Sequence, residues 1–169
     1  MRLLGRVGSP HAAVAVLTAI TGVYMGLVAL GNITDYDTNH AFVQHVLAMD
    51  TTFRSPNTAY RAVTNPIAVS AAYVLIIAWE AVTAAVLLVG AAAWVRGRAV
   101  ARPLSGAGWV MQALLFGVGF LAIGGEWFQM WQSKEWNGTS PAFQNLVIAL
   151  LGLVLLHATR PADRTAAVR

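Results

Sequence analysis

The sequence predicts an all-α integral membrane protein, a four-helix bundle built as one membrane domain over residues 1–169. Composition is the first reason: 57% of the residues are hydrophobic and 11% are charged, whereas about 25% are charged in a typical soluble domain. The second reason is four apolar stretches, at about residues 11–31, 67–95, 109–131 and 142–158. A helix needs about 20 such residues to cross the hydrocarbon core of a bilayer. The third reason is an uneven distribution of arginine along the chain.

The first two stretches are long enough to span a bilayer. Residues 11–31 are free of charge over 21 positions, which is too long for the apolar region of a cleavable signal peptide, at about 7 to 15 residues. The stretch 67–95 follows Asn65-Pro66, and proline is suited to the first turn of a helix. Its 29 residues exceed the thickness of a bilayer, so we expect this helix to tilt or to protrude.

The third and fourth stretches complete the predicted spans. The third runs from Trp109 to Trp131, and the fourth is the shortest, with 17 residues. Ser140-Pro141 precedes the fourth stretch, which is typical of an N-cap followed by proline at the first helical position. We expect short interfacial helices in the outer loop of residues 32–66 and a cytoplasmic tail at residues 159–169.

Lysine and arginine predict the orientation, because cytoplasmic loops of membrane proteins carry an excess of both. If both termini are cytoplasmic, eight of the 11 basic residues lie inside: Arg2, Arg6, Arg96, Arg98, Arg102, Arg160, Arg164 and Arg169. Arg54, Arg61 and Lys134 then lie outside. The net charge of +4 is thus a topology signal. It indicates no nucleic-acid partner, since nucleic-acid binders gather basic residues on one face.

Glu80 is a carboxylic acid inside the second span. It follows Pro66 by 14 residues, or about 21 Å along a helix. A charge at the centre of a bilayer costs about 3 kcal/mol on insertion scales, so we expect a neutral, hydrogen-bonded group. Tyr73 and Thr83 share its helix face and are potential partners. Either Glu80 joins helices through one hydrogen bond, or it belongs to a proton, cation or ligand site.

Glu126 lies near the outer end of the third span. At the helical spacings i−4 and i−7 it shares a stripe with Ala122 and Gly119, and small residues at such spacings allow another helix to approach closely. We therefore expect Glu126 to face a protein neighbour. Trp127, Trp131 and Trp136 follow, and they predict an aromatic belt at the membrane surface.

The outer loop contains possible metal ligands, namely Asp35, Asp37, His40, His45 and Asp50. His40 and His45 are five residues apart, hence about 140° apart around a helix, so they do not form the i, i+4 pair that a metal site uses. The loop instead favours a short amphipathic helix, capped by Asp37 or Thr38, that lies on the membrane surface as a lid. Arg61 is the expected ion-pair partner of a carboxylate on this side.

No cofactor is predicted. The chain has no cysteine, which excludes disulfides and cysteine-bound metals. His11 and His157 lie near the cytoplasmic ends of two spans, where axial haem ligands can lie, but each is more simply an interfacial polar residue. Haem and metal therefore remain alternatives to the cofactor-free interpretation.

Three stretches together suggest a family. They are GNITDYDTNHAFVQHVLAMDTTF in the outer loop, AYVLIIAWE in the second span and GEWFQMWQSKEWNG at the end of the third. With them the chain resembles an uncharacterised bacterial family of predicted small integral membrane proteins with four spans, a domain-of-unknown-function group. The resemblance implies a multi-pass protein of the bacterial cytoplasmic membrane. It implies no substrate, cofactor or catalytic residue.

Two functions fit these patterns. The first is a non-enzymatic accessory or structural subunit that packs against a membrane-protein partner, or against a second copy, through small-residue faces. The alternative is a membrane protein that binds a proton, a cation or a lipophilic ligand with Glu80 and Glu126 under the outer lid. An enzyme is less favoured, because no nucleophile with its base, phosphate loop or dinucleotide motif is recognisable.

Overall fold

A computed structural model describes residues 8–159 of the chain. Arg2, Arg6 and the predicted tail beyond Thr159 lie outside the described residues. The described part is helical and contains no strand, in agreement with the predicted all-α class. Its helices are α1 (Pro10–Thr34), α2 (Tyr36–Ala48), α3 (Pro66–Val95), α4 (Ala101–Trp127) and α5 (Thr139–Ala158). Single turns of 3₁₀ helix lie at Ala59–Arg61 and Met130–Gln132.

Four helices, α1, α3, α4 and α5, are long and apolar enough to cross a membrane. The predicted number of spans is therefore confirmed. Helix α2 has 13 residues and is too short to cross. It follows α1 almost directly, with only Asp35 between them, and it forms part of the connection between the first two spans.

Local capping explains where two of the long helices begin. The Ser9 side chain accepts a hydrogen bond from the Ala12 amide at 3.2 Å, and Pro10 occupies the first helical position of α1. The Asn65 side chain likewise accepts from the amides of Ile67 and Ala68. These side-chain oxygens accept from backbone amides of the first turn, which have no acceptor within the helix.

Helix α4 begins at Ala101, eight residues before the predicted start of the third span. Pro103 is the third residue of the helix, a position where its missing N–H leaves no helical bond unmade. The predicted loop arginine Arg102 therefore lies in the first turn of α4. Its guanidinium donates to the Leu156 carbonyl and the Thr159 hydroxyl at the end of α5.

The second half of α4 has a wider winding than an α-helix. From Leu114 to Trp127 it is a π-helix, and the Phe128 amide continues this pattern by donating to the Ile123 carbonyl five residues earlier. The helix ends at Trp127, two residues before Gln129, whose backbone is in the left-handed conformation (φ 55°). Trp131 therefore lies beyond α4 in a 3₁₀ turn, rather than inside the third span.

The long helices pack in a closed order. Helix α1 packs along α3, α3 against α4, α4 against α5, and α5 contacts α1. Glycine permits the closest approaches: a Cβ atom at Gly108 would lie 2.5 Å from the Leu87 side chain, and one at Gly152 would lie 2.5 Å from the Trp109 ring. Small residues at such crossings let helix backbones pack tightly in a membrane.

The distribution of polarity is the one expected of a protein in lipid. One face of α1 is an exposed apolar stripe, formed by Val16, Ile20, Val23, Leu27 and Leu30. Polar side chains lie inside instead, among them Thr18, Thr21, Ser105, Gln112 and Asn145. Hydrocarbon can cover the apolar stripe, whereas buried polar groups need partners within the protein.

Candidate functional site

A buried carboxyl lies where α1, α2 and α3 meet. Glu80 of α3 is 2% exposed, and its Oε2 atom accepts a hydrogen bond of 2.7 Å from the Asn32 amide in the last turn of α1. The Asn32 Oδ1 atom accepts in turn from the Asn39 amide of α2, also at 2.7 Å. Tyr73 donates its hydroxyl to the Asn32 main-chain carbonyl at 3.1 Å. Asn32 thereby connects all three helices.

The partners predicted for Glu80 on its own helix are wrong. Thr83 donates to the Trp79 carbonyl at 2.7 Å, and Tyr73 donates to Asn32 rather than to Glu80. The observed partner, Asn32, is 48 residues away in the sequence. Helix periodicity relates residues of one helix only, so it could not identify this contact. The sequence did contain one signal for this contact, the amide side chain of Asn32 directly after the first predicted span.

Glu80 lies near the middle of α3 but beside the end of α1. Along α3 it is about 21 Å from Pro66, but beside α1 it is level with Asn32 in the last turn. The first part of α3 extends past α1 and packs along α2, where Ser70 hydrogen-bonds to His40 at 3.1 Å. We call this side, where α1 ends and α3 begins, the loop end of the protein.

Glu80 lines a cavity of about 310 Å³ at the loop end, which we call the polar cavity. Its other polar side chains are Tyr24, Asn32, Asn39, Tyr73, Asn137 and Asn145. Asn39 and Asn137 are exposed, so the cavity opens at this end. Glu80 is the one ionisable carboxyl of the lining, and no lysine, arginine or histidine is among the described residues that form it.

None of the four asparagines of the polar cavity, Asn32, Asn39, Asn137 and Asn145, was predicted as a site residue from the sequence. Asn145 of α5 donates to the Tyr24 hydroxyl at 3.2 Å and to the Pro141 carbonyl at 3.0 Å. Asn137 accepts from the amide and the hydroxyl of Thr139 at the start of α5. Such amides occur at helix ends for capping alone, and only the packing of the helices brings them to one cavity.

A second cavity, of about 220 Å³, lies beside the first and is lined by apolar residues. We call it the apolar cavity. Its lining includes Leu75 of α3, Leu115 and Ile123 of α4, and Met130. The side chains of Phe42, Val43, Ile76 and Phe120 line both cavities. The two cavities are thus separated by one layer of side chains.

Glu126 lies apart from this site. It is exposed and lines neither cavity, so it does not share a cavity with Glu80, and a protein neighbour for it stays a prediction. The prediction assumed 3.6 residues per turn, but α4 is π-helical here. Ala122 and Gly119 therefore do not form one stripe with Glu126.

The loop residues are held by contacts other than those predicted. Arg61 meets no carboxylate in the described part: its guanidinium lies 4.5 Å from the centre of the Trp127 ring and donates to the Trp127 carbonyl at 3.2 Å. The ion pair predicted for Arg61 is wrong. The observed pair is His45 with Asp50, at 2.7 Å.

Helix α2 begins slightly earlier than predicted. Asp35 occupies the N-cap position, and Thr38 donates to its carboxylate at 3.0 Å, whereas Asp37 is exposed in the first turn. The buried side of α2 is centred on Val43, which packs with Val69, Tyr73 and Ile77 of α3. One face of the helix is therefore bound to α3.

The tryptophans predicted as interface aromatics fall into two groups. Trp127 and Trp131 are each 48% exposed at the loop end, where an aromatic belt is expected. Trp136 is half-buried instead. Its ring stacks on His45 at 4.5 Å and meets the Phe42 ring edge-on, so it packs the segment after α4 onto α2.

Residues 8–159 contain no group of three histidine, aspartate or glutamate side chains that could hold a metal ion. His40 and His45 have separate partners, Ser70 and Asp50. His11 packs against Trp94, and His157 hydrogen-bonds to the Leu153 carbonyl at 2.7 Å.

Comparison with known proteins gives a match to one family model. No curated protein and no solved structure matches the chain. The model described as "Predicted small integral membrane protein (DUF2165)" matches residues 11–159, which includes all four membrane-length helices. This chain therefore belongs to that family of predicted small integral membrane proteins.

Proposed function

We propose that this membrane protein binds a small cationic molecule in the polar cavity and that Glu80 supplies the opposite charge. The observation that carries the proposal is a carboxyl, 2% exposed, that lines a cavity with no lysine, arginine or histidine. A carboxylate in such surroundings is costly unless it is protonated or paired. A bound cation can provide the pairing that the lining itself lacks.

The hydrogen bonds of Glu80 leave room for a ligand. Only Oε2 accepts a bond from a described residue, the one from Asn32. Oε1 is not among the fully buried atoms without a partner, so it retains some accessible surface. A positively charged donor that reaches Oε1 would form a charge-assisted hydrogen bond, which is stronger than a neutral one.

The amides around Glu80 suit a ligand that also carries hydrogen-bonding groups. Asn39, Asn137 and Asn145 come from three different segments and line the same space. A carboxamide has both a donor and an acceptor, and the Asn39 oxygen accepts no bond from a described residue, whereas Asn137 and Asn145 already have partners within the chain. Convergent polar groups among apolar side chains are a common arrangement of a small-molecule site.

The accessory-subunit interpretation has less support from the packing. It relied on small-residue faces, and the sequence places Gly22 and Gly26 on one such face of α1. Those positions face α3 of the same chain: a Cβ atom would lie 3.1 Å from Leu87 at Gly22 and 3.8 Å from Ala84 at Gly26. A partner protein would have to use another surface. We keep the bacterial cytoplasmic membrane, with both termini inside, as the proposed location.

The proposal predicts that Glu80→Gln weakens binding of n-butylammonium by about tenfold or more, since hydrogen bonds to charged groups contribute about 1.5–3 kcal/mol. The measurement is the unfolding midpoint of the detergent-solubilised protein against ligand concentration, because a ligand of the folded state raises that midpoint by mass action. Butanol serves as the uncharged probe. Glutamine can still accept from Asn32, so the fold should survive.

Glu126→Gln is the matched control, because it removes the same charge from an exposed site that lines neither cavity. It should bind butylammonium as the wild type does. Equal binding of butylammonium and butanol, or equal binding by the wild type and Glu80→Gln, would contradict the proposed function. If a stoichiometric protein partner were needed for folding, the accessory-subunit interpretation would replace it.

A further inference from the structure

We infer that the ligand is an amphiphilic amine, whose ammonium group pairs with Glu80 in the polar cavity and whose hydrocarbon chain occupies the apolar cavity. This inference rests on the proposed function and specifies the class of ligand. It requires that the two cavities serve one molecule. Three features of the site support that arrangement.

The first feature is the layer of side chains between the cavities. Phe42 of α2 and Phe120 of α4 line both spaces, as do Val43 and Ile76. Phe42 and Phe120 are only half-buried, although each packs against another aromatic ring, Trp136 for Phe42 and Phe116 for Phe120. The inference requires that one of these rings rotates so that the two cavities join.

The second feature is the contrast in chemistry on the two sides of this layer. The polar cavity holds the carboxyl and the amides, whereas every lining residue of the apolar cavity is hydrophobic or glycine. An inorganic cation or a short polar amine would make no contact with the apolar cavity. A hydrocarbon chain fits it, because apolar side chains offer contacts to methylene groups and no hydrogen bonds.

The third feature is that the apolar cavity has open space along α4. A Cβ atom at Gly119 would meet only the Leu115 side chain, at 3.7 Å, which is an ordinary van der Waals contact. Gly124 also lines this cavity. These positions can therefore accept a larger side chain in the space assigned to the ligand chain, which gives a direct test.

The test measures dissociation constants of ethyl-, butyl- and hexylammonium for the detergent-solubilised wild type and for Gly119→Leu. Each buried methylene contributes about 0.8 kcal/mol, which corresponds to roughly fourfold tighter binding per methylene. The wild type should show this gain with chain length. Gly119→Leu should lose most of it and keep the affinity for ethylammonium, because leucine fills the apolar cavity and leaves Glu80 unchanged.

Gly31→Leu is the matched control, since a Cβ atom at Gly31 would meet nothing within 4 Å and Gly31 lines neither cavity. It should retain the dependence on chain length. Ala72→Leu, which fills the same apolar cavity from α3, replaces Gly119→Leu if that variant does not fold. The unfolding midpoint without ligand establishes folding in each case.

The outcomes separate this inference from the proposed function. Binding that requires Glu80 but does not change with chain length in the wild type would overturn the inference alone. A gain with chain length that survives both cavity-filling variants would also overturn it, because the chain would then lie elsewhere. Alkylammonium binding that does not depend on Glu80 would overturn the proposed function as well.

Discussion

At the scale of single residues, the environment of Glu80 shows why a site is harder to predict than a span. One carboxyl in a long apolar run stands out in the sequence, and the structure buries it. Its partner Asn32 does not stand out, because an amide near a helix end has many ordinary uses. The contact between them depends on the packing of α1 along α3.

The close packing around Gly152 predicts that a larger residue at this position destabilises the protein. A Cβ atom there would lie 2.5 Å from Cε2 and 2.6 Å from Cδ2 of Trp109, and that indole is fully buried. Gly152→Ala should therefore lower the free energy of unfolding by about 1–3 kcal/mol through overpacking. Denaturant unfolding of the protein in detergent would measure this change.

Gly31→Ala is the control for that prediction. It makes the same substitution in α1, where nothing lies within 4 Å of the new Cβ atom. We expect no loss of stability, because alanine is the better helix former. Equal stability of Gly152→Ala and Gly31→Ala would show that α4 and α5 do not approach each other as described.

At the scale of elements, the connection after α2 is fastened to the segment that follows α4. Thr51 donates to the Ser133 hydroxyl at 2.9 Å, and the Phe53 amide donates to the Gln132 side chain at 2.8 Å. Thr58 donates to the Gln129 side chain at 3.1 Å. Both segments lie at the loop end, next to the mouth of the polar cavity. A lid over this cavity would thus be formed by α2 together with its connection.

Arg61→Ala should loosen this connection, because it removes the stacking on Trp127 and the hydrogen bond to its carbonyl. A cation–π contact contributes about 0.5–1 kcal/mol at an exposed site, so we expect up to about fivefold faster amide exchange. Hydrogen–deuterium exchange over residues 32–64 would measure it. Unchanged protection would contradict a fastening role for Arg61.

Arg54→Ala is the matched control. Arg54 is exposed, and its guanidinium donates only to the Asp50 carbonyl of the same connection. Its loss should leave the attachment to the segment after α4 intact. Exchange should therefore change only near residues 50–54.

Helix α4 shows how an element can be predicted while its faces are not. Hydropathy identifies an apolar stretch of sufficient length, and the helix is present. The faces of its second half depend on winding, and π-helical winding from Leu114 to Trp127 changes which residues align. The predicted alignment of Glu126 with Ala122 and Gly119 failed for this reason, although the span that contains these residues was correctly identified.

At the scale of the whole molecule, the orientation remains a prediction from arginine. Arg96, Arg98 and Arg102 lie between or near the ends of α3 and α4, on the side opposite the loop end. The chain has no cysteine, so single cysteines can be introduced without background. In intact cells, a membrane-impermeant maleimide should label Thr38→Cys and should leave Arg98→Cys unlabelled.

Permeabilised cells provide the control for this experiment, since both cysteines should then react. Thr38 and Arg98 are both exposed, so accessibility within the protein does not differ greatly between them. Labelling of Arg98→Cys alone in intact cells would reverse the predicted orientation. Labelling of both would contradict a membrane between the two positions.

The sequence by itself determined the solvent, the helical class and the four spans of this protein. These properties follow from local hydropathy, because a chain in hydrocarbon must satisfy its backbone hydrogen bonds within each helix. The tertiary structure alone decided that Glu80 meets Asn32, that four asparagines share one cavity, and that Glu126 faces away from it. Such pairings join distant parts of the chain, and only the packing of whole helices specifies them.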